Sequence, residues 1–223
     1  MIYISTYAEK NWGDCSKAVA YSLNFVQMCY SPDNVSWSEY YTTICDGCQC
    51  KIQSKNFEYR KSDFSKKDYF ILDYYCYGVS ENLKKDMICF GLSEDNFRPI
   101  YTRKHDQILG YQIVADNILP STIEVNGKYT FSECKKCNHK TFEVFDKLQG
   151  PKAYNGLGYP VFITEEAEKE LKHINCLYEN KNKIIISCQL YNYLIERYPR
   201  LECRPVFLGS VYNDKEYLRI REK

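Results

Sequence analysis

Apolar residues recur at helical spacing after two serines of this chain. Leu83, Met87 and Phe90 follow Ser80, and Leu190, Leu194 and Tyr198 follow Ser187, each set on one face of a turn of about 3.6 residues. A serine in that place caps a helix by accepting from a first-turn N–H. Gly91 and Pro199 stand where the two helices should stop. Each helix is followed by Arg-Pro and an apolar run, Arg98-Pro99-Ile100-Tyr101 in one case and Arg204-Pro205-Val206-Phe207 in the other. Both runs read as short strands. The chain therefore repeats one grammar: serine, amphipathic helix, turn, Arg-Pro strand. A third helix is expected from Thr164, with Glu165 and Glu166 in its first turn and Ala167, Leu171 and Ile174 along one face.

Elsewhere the pattern favours strands. Tyr69–Leu72 and Tyr111–Val114 flank the first unit, with a polar turn near Lys104-His105-Asp106. Ser121–Val125 alternates and reaches Asn126-Gly127, a hairpin dipeptide. Lys128–Phe131, Thr141–Phe145 and Pro160–Ile163 complete the strand signals. Residues 14–30 fit a helix or a strand equally well. The fold class is α+β, with mixed and antiparallel sheets and a few amphipathic helices. At 223 residues the chain is one compact unit or two intimately packed halves, approximately 1–120 and 121–223.

Charge narrows the field. Thirty basic residues oppose 29 acidic ones, so no field favours a nucleic acid or an anionic membrane. The start of the chain has no secretion signal and no run is long enough to span a membrane, so a cytoplasmic protein is expected. Reduced thiols are expected there, and twelve cysteines in a chain this long do not resemble a disulfide scaffold. Cys15, Cys29, Cys76, Cys89, Cys176, Cys188 and Cys203 read as small buried hydrophobes. Lys66-Lys67-Asp68, Lys84-Lys85-Asp86 and Lys181-Asn182-Lys183 read as solvated faces.

The chemistry lies in two Cys-x-x-Cys pairs, Cys45–Cys48 and Cys134–Cys137. A tight turn with this spacing points both sulfurs at one metal ion. Four thiolates complete a closed tetrahedral site, so zinc is expected as a structural cofactor held by a pair of knuckles, 45–50 and 134–139, that join the halves. Cys50 and His139 are the substitute ligands. A left-handed residue, usually glycine, is favoured after such a turn; Gln49 and Asn138 occupy those places. A redox pair would need a helix N-terminus or a cation beside it, and neither turn opens a helix. His105 sits in a charged turn and His173 near the end of the third helix. No nucleophile motif, phosphate loop or dinucleotide fingerprint occurs, so no catalytic residue is assigned.

The knuckle around Cys134-Lys135-Lys136-Cys137, the strand Val161-Phe162-Ile163, the capped start Thr164-Glu165-Glu166-Ala167 and the repeated Arg-Pro units together resemble the double-CxxCG-motif proteins found among bacterial toxin-immunity genes. Both glycines after the knuckles are replaced here, by Gln49 and Asn138. The resemblance implies a cytoplasmic protein that binds and neutralises one cognate protein toxin, with zinc as scaffold. Glu165, Glu166, Glu168 and Glu170 are then the candidate partner-binding residues. A zinc-ribbon nucleic-acid-binding or regulatory protein is the alternative reading.

Overall fold

Both serine-led units form where their spacing places them. The computed structural model describes residues 6–25, 29, 39–49, 51–64, 67–72, 76–119, 129–137, 140–144, 161–177 and 183–208. Helix α1 (Tyr7–Trp12) is followed by β1 (Ala20–Leu23), β2 (Tyr41–Thr43), β3 (Lys51–Gln53), β4 (Glu58–Tyr59), β5 (Tyr69–Ile71) and β6 (Tyr77–Val79). Next come α2 (Glu81–Phe90), β7 (Phe97–Thr102), β8 (Ile108–Ile113), β9 (Ile118–Leu119), β10 (Tyr129–Glu133) and β11 (Lys140–Val144). The chain continues through β12 (Val161–Ile163), α3 (Glu165–Lys169), β13 (Ile174–Leu177), β14 (Ile184–Ser187), α4 (Cys188–Arg197) and β15 (Cys203–Leu208). The Ser121–Val125 strand, its Asn126-Gly127 turn, Cys50, Asn138 and His139 lie outside the described residues.

Ser80 Oγ accepts from Leu83 N–H and Ser187 Oγ from Leu190 N–H, both at 3.2 Å, so each serine satisfies a donor that its helix leaves open. Gly91 ends α2 with φ at +123°, a region where a side chain would be strained. Leu83, Met87, Leu190 and Leu194 are buried. Within residues 14–30 the described chain holds one short strand, Ala20–Leu23, buried at every position, which an amphipathic helix would not permit; the Asn24–Met28 stretch that could also read as strand is coil at Asn24 and Phe25 and otherwise lies outside the described residues.

The architecture is α+β with mixed sheets. A five-stranded sheet runs β4-β7-β8-β6-β5 and a six-stranded sheet runs β12-β15-β1-β14-β13-β9. The β2–β3 and β10–β11 pairs stand as separate antiparallel hairpins. One hydrophobic cluster joins the two large sheets and both long helices: Val79, Phe97 and Ile113 meet Leu83, Met87, Leu190 and Leu194, then Tyr21, Ile186 and Cys203. Tyr21 stacks on Tyr191 with ring centres 3.6 Å apart. The outer face of the five-stranded sheet has its own cluster around Phe57, Phe70 and Ile100. The outer face of the six-stranded sheet has another, around Ile163, Ile185 and Val206.

The third helix is shorter than its pattern suggests. It stops at Lys169, and Ile174 stands in β13 opposite Ile186. Fully buried Asn175 explains the exit from the helix. Its Oδ1 accepts from Lys172 N–H (2.8 Å) and Asn117 Nδ2 (2.7 Å), while its Nδ2 donates to the carbonyls of Lys172 (2.8 Å) and Ile185 (3.2 Å). A helix continued through 172 would forfeit this set, and a buried amide without partners is costly. His173 accordingly lies outside α3. Lys84, read as part of a solvated face, is largely covered. Lys84 has a side chain only 11% exposed, pairs with Glu94 at 2.7 Å and sits 4.1 Å from the centre of the Tyr111 ring. Cys89, read as buried, is exposed on α2.

Gly78 in β6 faces the ring of buried Phe70, and a Cβ there would run into it. Gly78→Ala is therefore expected to cost about 1–3 kcal/mol through overpacking, read as a lower urea midpoint. Lys183 gives a pH signature. Burial, with the Arg204 guanidinium nearby, pushes its ammonium down to about 8. Free lysine titrates at about 10.4, so between those values the unfolded chain binds more protons and stability rises with pH. Lys183→Met is expected to be more stable than the native chain at pH 7, by on the order of 2 kcal/mol, the gap closing toward pH 10. Urea midpoints of the two chains across that range check this; a constant gap would refute it.

Candidate metal centre

Two hairpins carry the candidate site. In the first, Thr42 pairs with Ile52 and the chain turns through Cys45–Cys48 between β2 and β3. In the second, Glu133 pairs with Lys140 and the chain turns through Cys134–Cys137 between β10 and β11. The first hairpin is anchored from its side: Gln53 and buried Gln112 of β8 exchange two amide hydrogen bonds, each 2.9 Å. Ser54 N–H donates to Tyr40 C=O at 2.8 Å and closes the hairpin base.

The four sulfurs converge. Cys45, Cys48, Cys134 and Cys137 present Sγ atoms that all lie within 4.8 Å of one another. Cys45 Sγ is 3.7 Å from Cys134 Sγ, and Cys48 Sγ is 3.5 Å from Cys137 Sγ. A disulfide needs about 2.05 Å, so these are separate thiols. Sulfurs bound tetrahedrally at about 2.3 Å from one ion stand about 3.8 Å apart. The spacing thus matches one ion between the two turns. Cys45 is buried and Cys137 exposed, which puts the cluster at the surface with one side covered.

The turns prepare their sulfurs for a cation. The N–H of Cys48, first, holds the Cys45 thiol below its usual range, with that of Gly47 assisting. The N–H groups of Lys136 and Cys137 do the same for Cys134. Backbone donors aimed at a sulfur favour thiolate, the form that binds metal. Across the seam Lys136 Nζ lies 3.0 Å from both Asp46 carboxylate oxygens. Gly47 lets the turns close: a Cβ there would stand 3.2 Å from Lys136 Cδ and 3.4 Å from Cys134 Sγ.

Gln49 takes the left-handed conformation expected after Cys48, with φ at +57°. Its side chain donates from Nε2 to Asp46 C=O at 2.7 Å, tying the turn that a glycine would only permit. The sequence identified this backbone demand and all four cysteines. It did not reveal the Asp46–Lys136 pair or the Gly47 fit, because both are contacts between turns 90 positions apart.

Comparison with known protein families, curated proteins and solved structures finds no match to this chain. Among the described residues no helix is long and apolar enough to cross a membrane.

The other candidate residues lie apart from this chemistry. Glu165, Glu166 and Glu168 begin α3 behind the Thr164 cap, and Glu170 follows its last residue. Glu165, Glu166 and Glu170 are exposed and Glu168 half-buried. The helix dipole by itself accounts for acids in a first turn. His105 is bound by Glu58, Nε2 to Oε1 at 2.6 Å. His173 Nδ1 lies 3.1 Å from Ser187 Oγ, a pairing that suggests a nucleophile and its base. Ser187 is buried, however, and its oxygen is already the cap of α4. Ser80 is held in the same way by Asp68 at 2.8 Å, so both pairs brace helix starts.

Gly47→Val is expected to prise the turns apart and weaken metal binding at least tenfold in competition with a chromogenic chelator. Asp46→Ala, which removes only an exposed ion pair, is expected to change it little. Equal effects of the two would contradict the packing role given to Gly47.

Proposed function

We propose that this chain is a zinc-stapled immunity protein that binds a cognate bacterial toxin and blocks it without catalysing a reaction. The observation that supports the metal part of the reading is the convergence of four cysteine sulfurs, all within 4.8 Å of one another. Four protein thiolates fill a tetrahedral ion and leave no position for substrate or water, so the centre is structural. Zinc is the ion such a closed, all-sulfur set favours. The toxin partner comes from the resemblance of the two Cys-x-x-Cys turns and the Arg-Pro units to immunity proteins. Balanced charge fits a partner recognised by shape and local contacts better than a nucleic acid recognised by its phosphates.

Zinc content measured on purified full-length protein is expected to be one ion per chain. Cys45→Ser and Cys134→Ser should each lose most of it and lower the urea midpoint, since either change removes a ligand from the same ion. Retained metal in either variant would exclude the shared centre. For the partner, the protein is expected to co-elute in size exclusion with a toxin domain encoded beside it and to abolish that toxin's activity at equimolar ratio. Failure with every neighbouring toxin would remove the immunity reading and leave the metal centre standing.

A further inference from the structure

The two large sheets share more than a helix–strand unit. In the five-stranded sheet the middle strand β8 sets Tyr111 opposite Pro99 on one side and Val79 on the other. In the six-stranded sheet β1 sets Tyr21 opposite Pro205 on one side and Ile186 on the other. Val79 and Ile186 each precede the capping serine. The neighbours continue in step: Gly110 faces Ile100 as Ala20 faces Val206, Gln112 faces Arg98 as Ser22 faces Arg204, and Ile113 faces Phe97 as Leu23 faces Cys203. Two sheets that agree at this many successive pairs, on both sides of the middle strand, are two copies of one arrangement.

The correspondence extends outward. Strand β4 runs parallel to β7 as β12 runs parallel to β15, and these are the outer neighbours of the Arg-Pro strands. On the other flank Tyr69 faces Val79 as Ile174 faces Ile186. Ser80 N–H donates to Asp68 C=O and Ser187 N–H to His173 C=O, at 2.8 and 3.1 Å. Beyond β5 the N–H of fully buried Cys29 reaches Ile71 C=O, where β9 with fully buried Leu119 flanks β13. A short helical turn follows each parallel strand, Lys61–Asp63 after β4 and α3 after β12. A cysteine hairpin precedes each.

We infer that the chain is an internal duplication, residues 20–102 and 108–208, whose copies have exchanged their first strands, and that the cysteine centre is the joint to which each copy contributes one turn. The order within each copy is first strand, buried edge residue, cysteine hairpin, parallel strand, helical turn, two antiparallel strands, serine-capped helix and Arg-Pro strand. In both copies the first strand lies in the sheet of the other, β1 between β14 and β15, and β8 between β6 and β7. The sulfur pairs obey the same relation. Cys45 meets Cys134 and Cys48 meets Cys137, each pair 89 positions apart, so equivalent cysteines face each other across a local two-fold axis.

Exchange makes each sheet incomplete without the other copy. The two-stranded hairpins depend on something else. A lone hairpin is marginal in water, and an ion shared by two of them ties each to its counterpart. The joint rests on the metal reading given above; the duplication rests on strand register and the order of elements.

Two measurements on the full chain separate these. The first is a circular permutant in which a flexible linker joins the native ends and new ends open between Lys104 and His105. That exposed turn between β7 and β8 is the counterpart of the break between β15 and β1, so the permutant merely trades the roles of the copies. It is expected to fold with the native far-ultraviolet spectrum and to unfold in one cooperative urea transition. Two separate transitions, or a chain without native structure, would overturn the exchanged duplication. The second is hydrogen exchange on the native protein, zinc-loaded and after EDTA treatment. Residues 41–53 and 129–144 are expected to lose protection together, at least tenfold, while β1 and β8 keep theirs. Loss confined to one hairpin overturns the joint whatever the permutant does. A protein that never binds zinc removes the joint and leaves the permutant to decide the duplication.

Discussion

The backbone of strand β14 must find hydrogen-bond partners on both of its edges, and one edge is filled by residues from near the other end of the chain. Strand β1 supplies them and at the same time satisfies β15. A buried peptide group without a partner is costly, so the six-stranded sheet cannot close until the chain has come back on itself. Everything later depends on that closure. It sets Tyr21 against Tyr191 and brings α2 and α4 into one core.

The cysteine centre is a consequence as much as a cause of this arrangement. Its two turns come from separate hairpins, and the first is held to β8 by the Gln53–Gln112 amide pair. The turns then meet with Gly47 against Lys136 and Cys134, where a Cβ would already stand 3.2 Å from Lys136 Cδ and 3.4 Å from Cys134 Sγ. Backbone N–H groups lower the thiols of Cys45 and Cys134, so the site is electrostatically prepared for a cation. Chemistry of this kind holds parts together.

Much of the local structure was legible beforehand. The serine caps, the apolar faces of α2 and α4, the Arg-Pro strands and the Cys-x-x-Cys turns follow from spacing, because a cap, a helix face and a tight turn are each decided within a few residues. The left-handed residue after Cys48 belongs to the same class, and Gln49 adopts it despite the side chain. The errors fell where distant contacts outweigh local preference. The third helix ends early because buried Asn175 is claimed by Lys172, Ile185 and Asn117. Lys84 leaves solvent for Glu94 and the Tyr111 ring, although its neighbours read as a charged face.

By itself, the sequence determined the two serine-capped helices with their buried faces, the Arg-Pro strands and four sulfurs in two matched turns. Periodicity carries that much, since it records which side of a helix or strand avoids water. Tertiary structure alone decided which strands are neighbours, that β1 joins the C-terminal strands, and that the sulfurs lie within 4.8 Å of one another. A strand's pattern states that it will be covered on one face or two; it does not name the segment that supplies its hydrogen bonds, because every backbone offers the same ones.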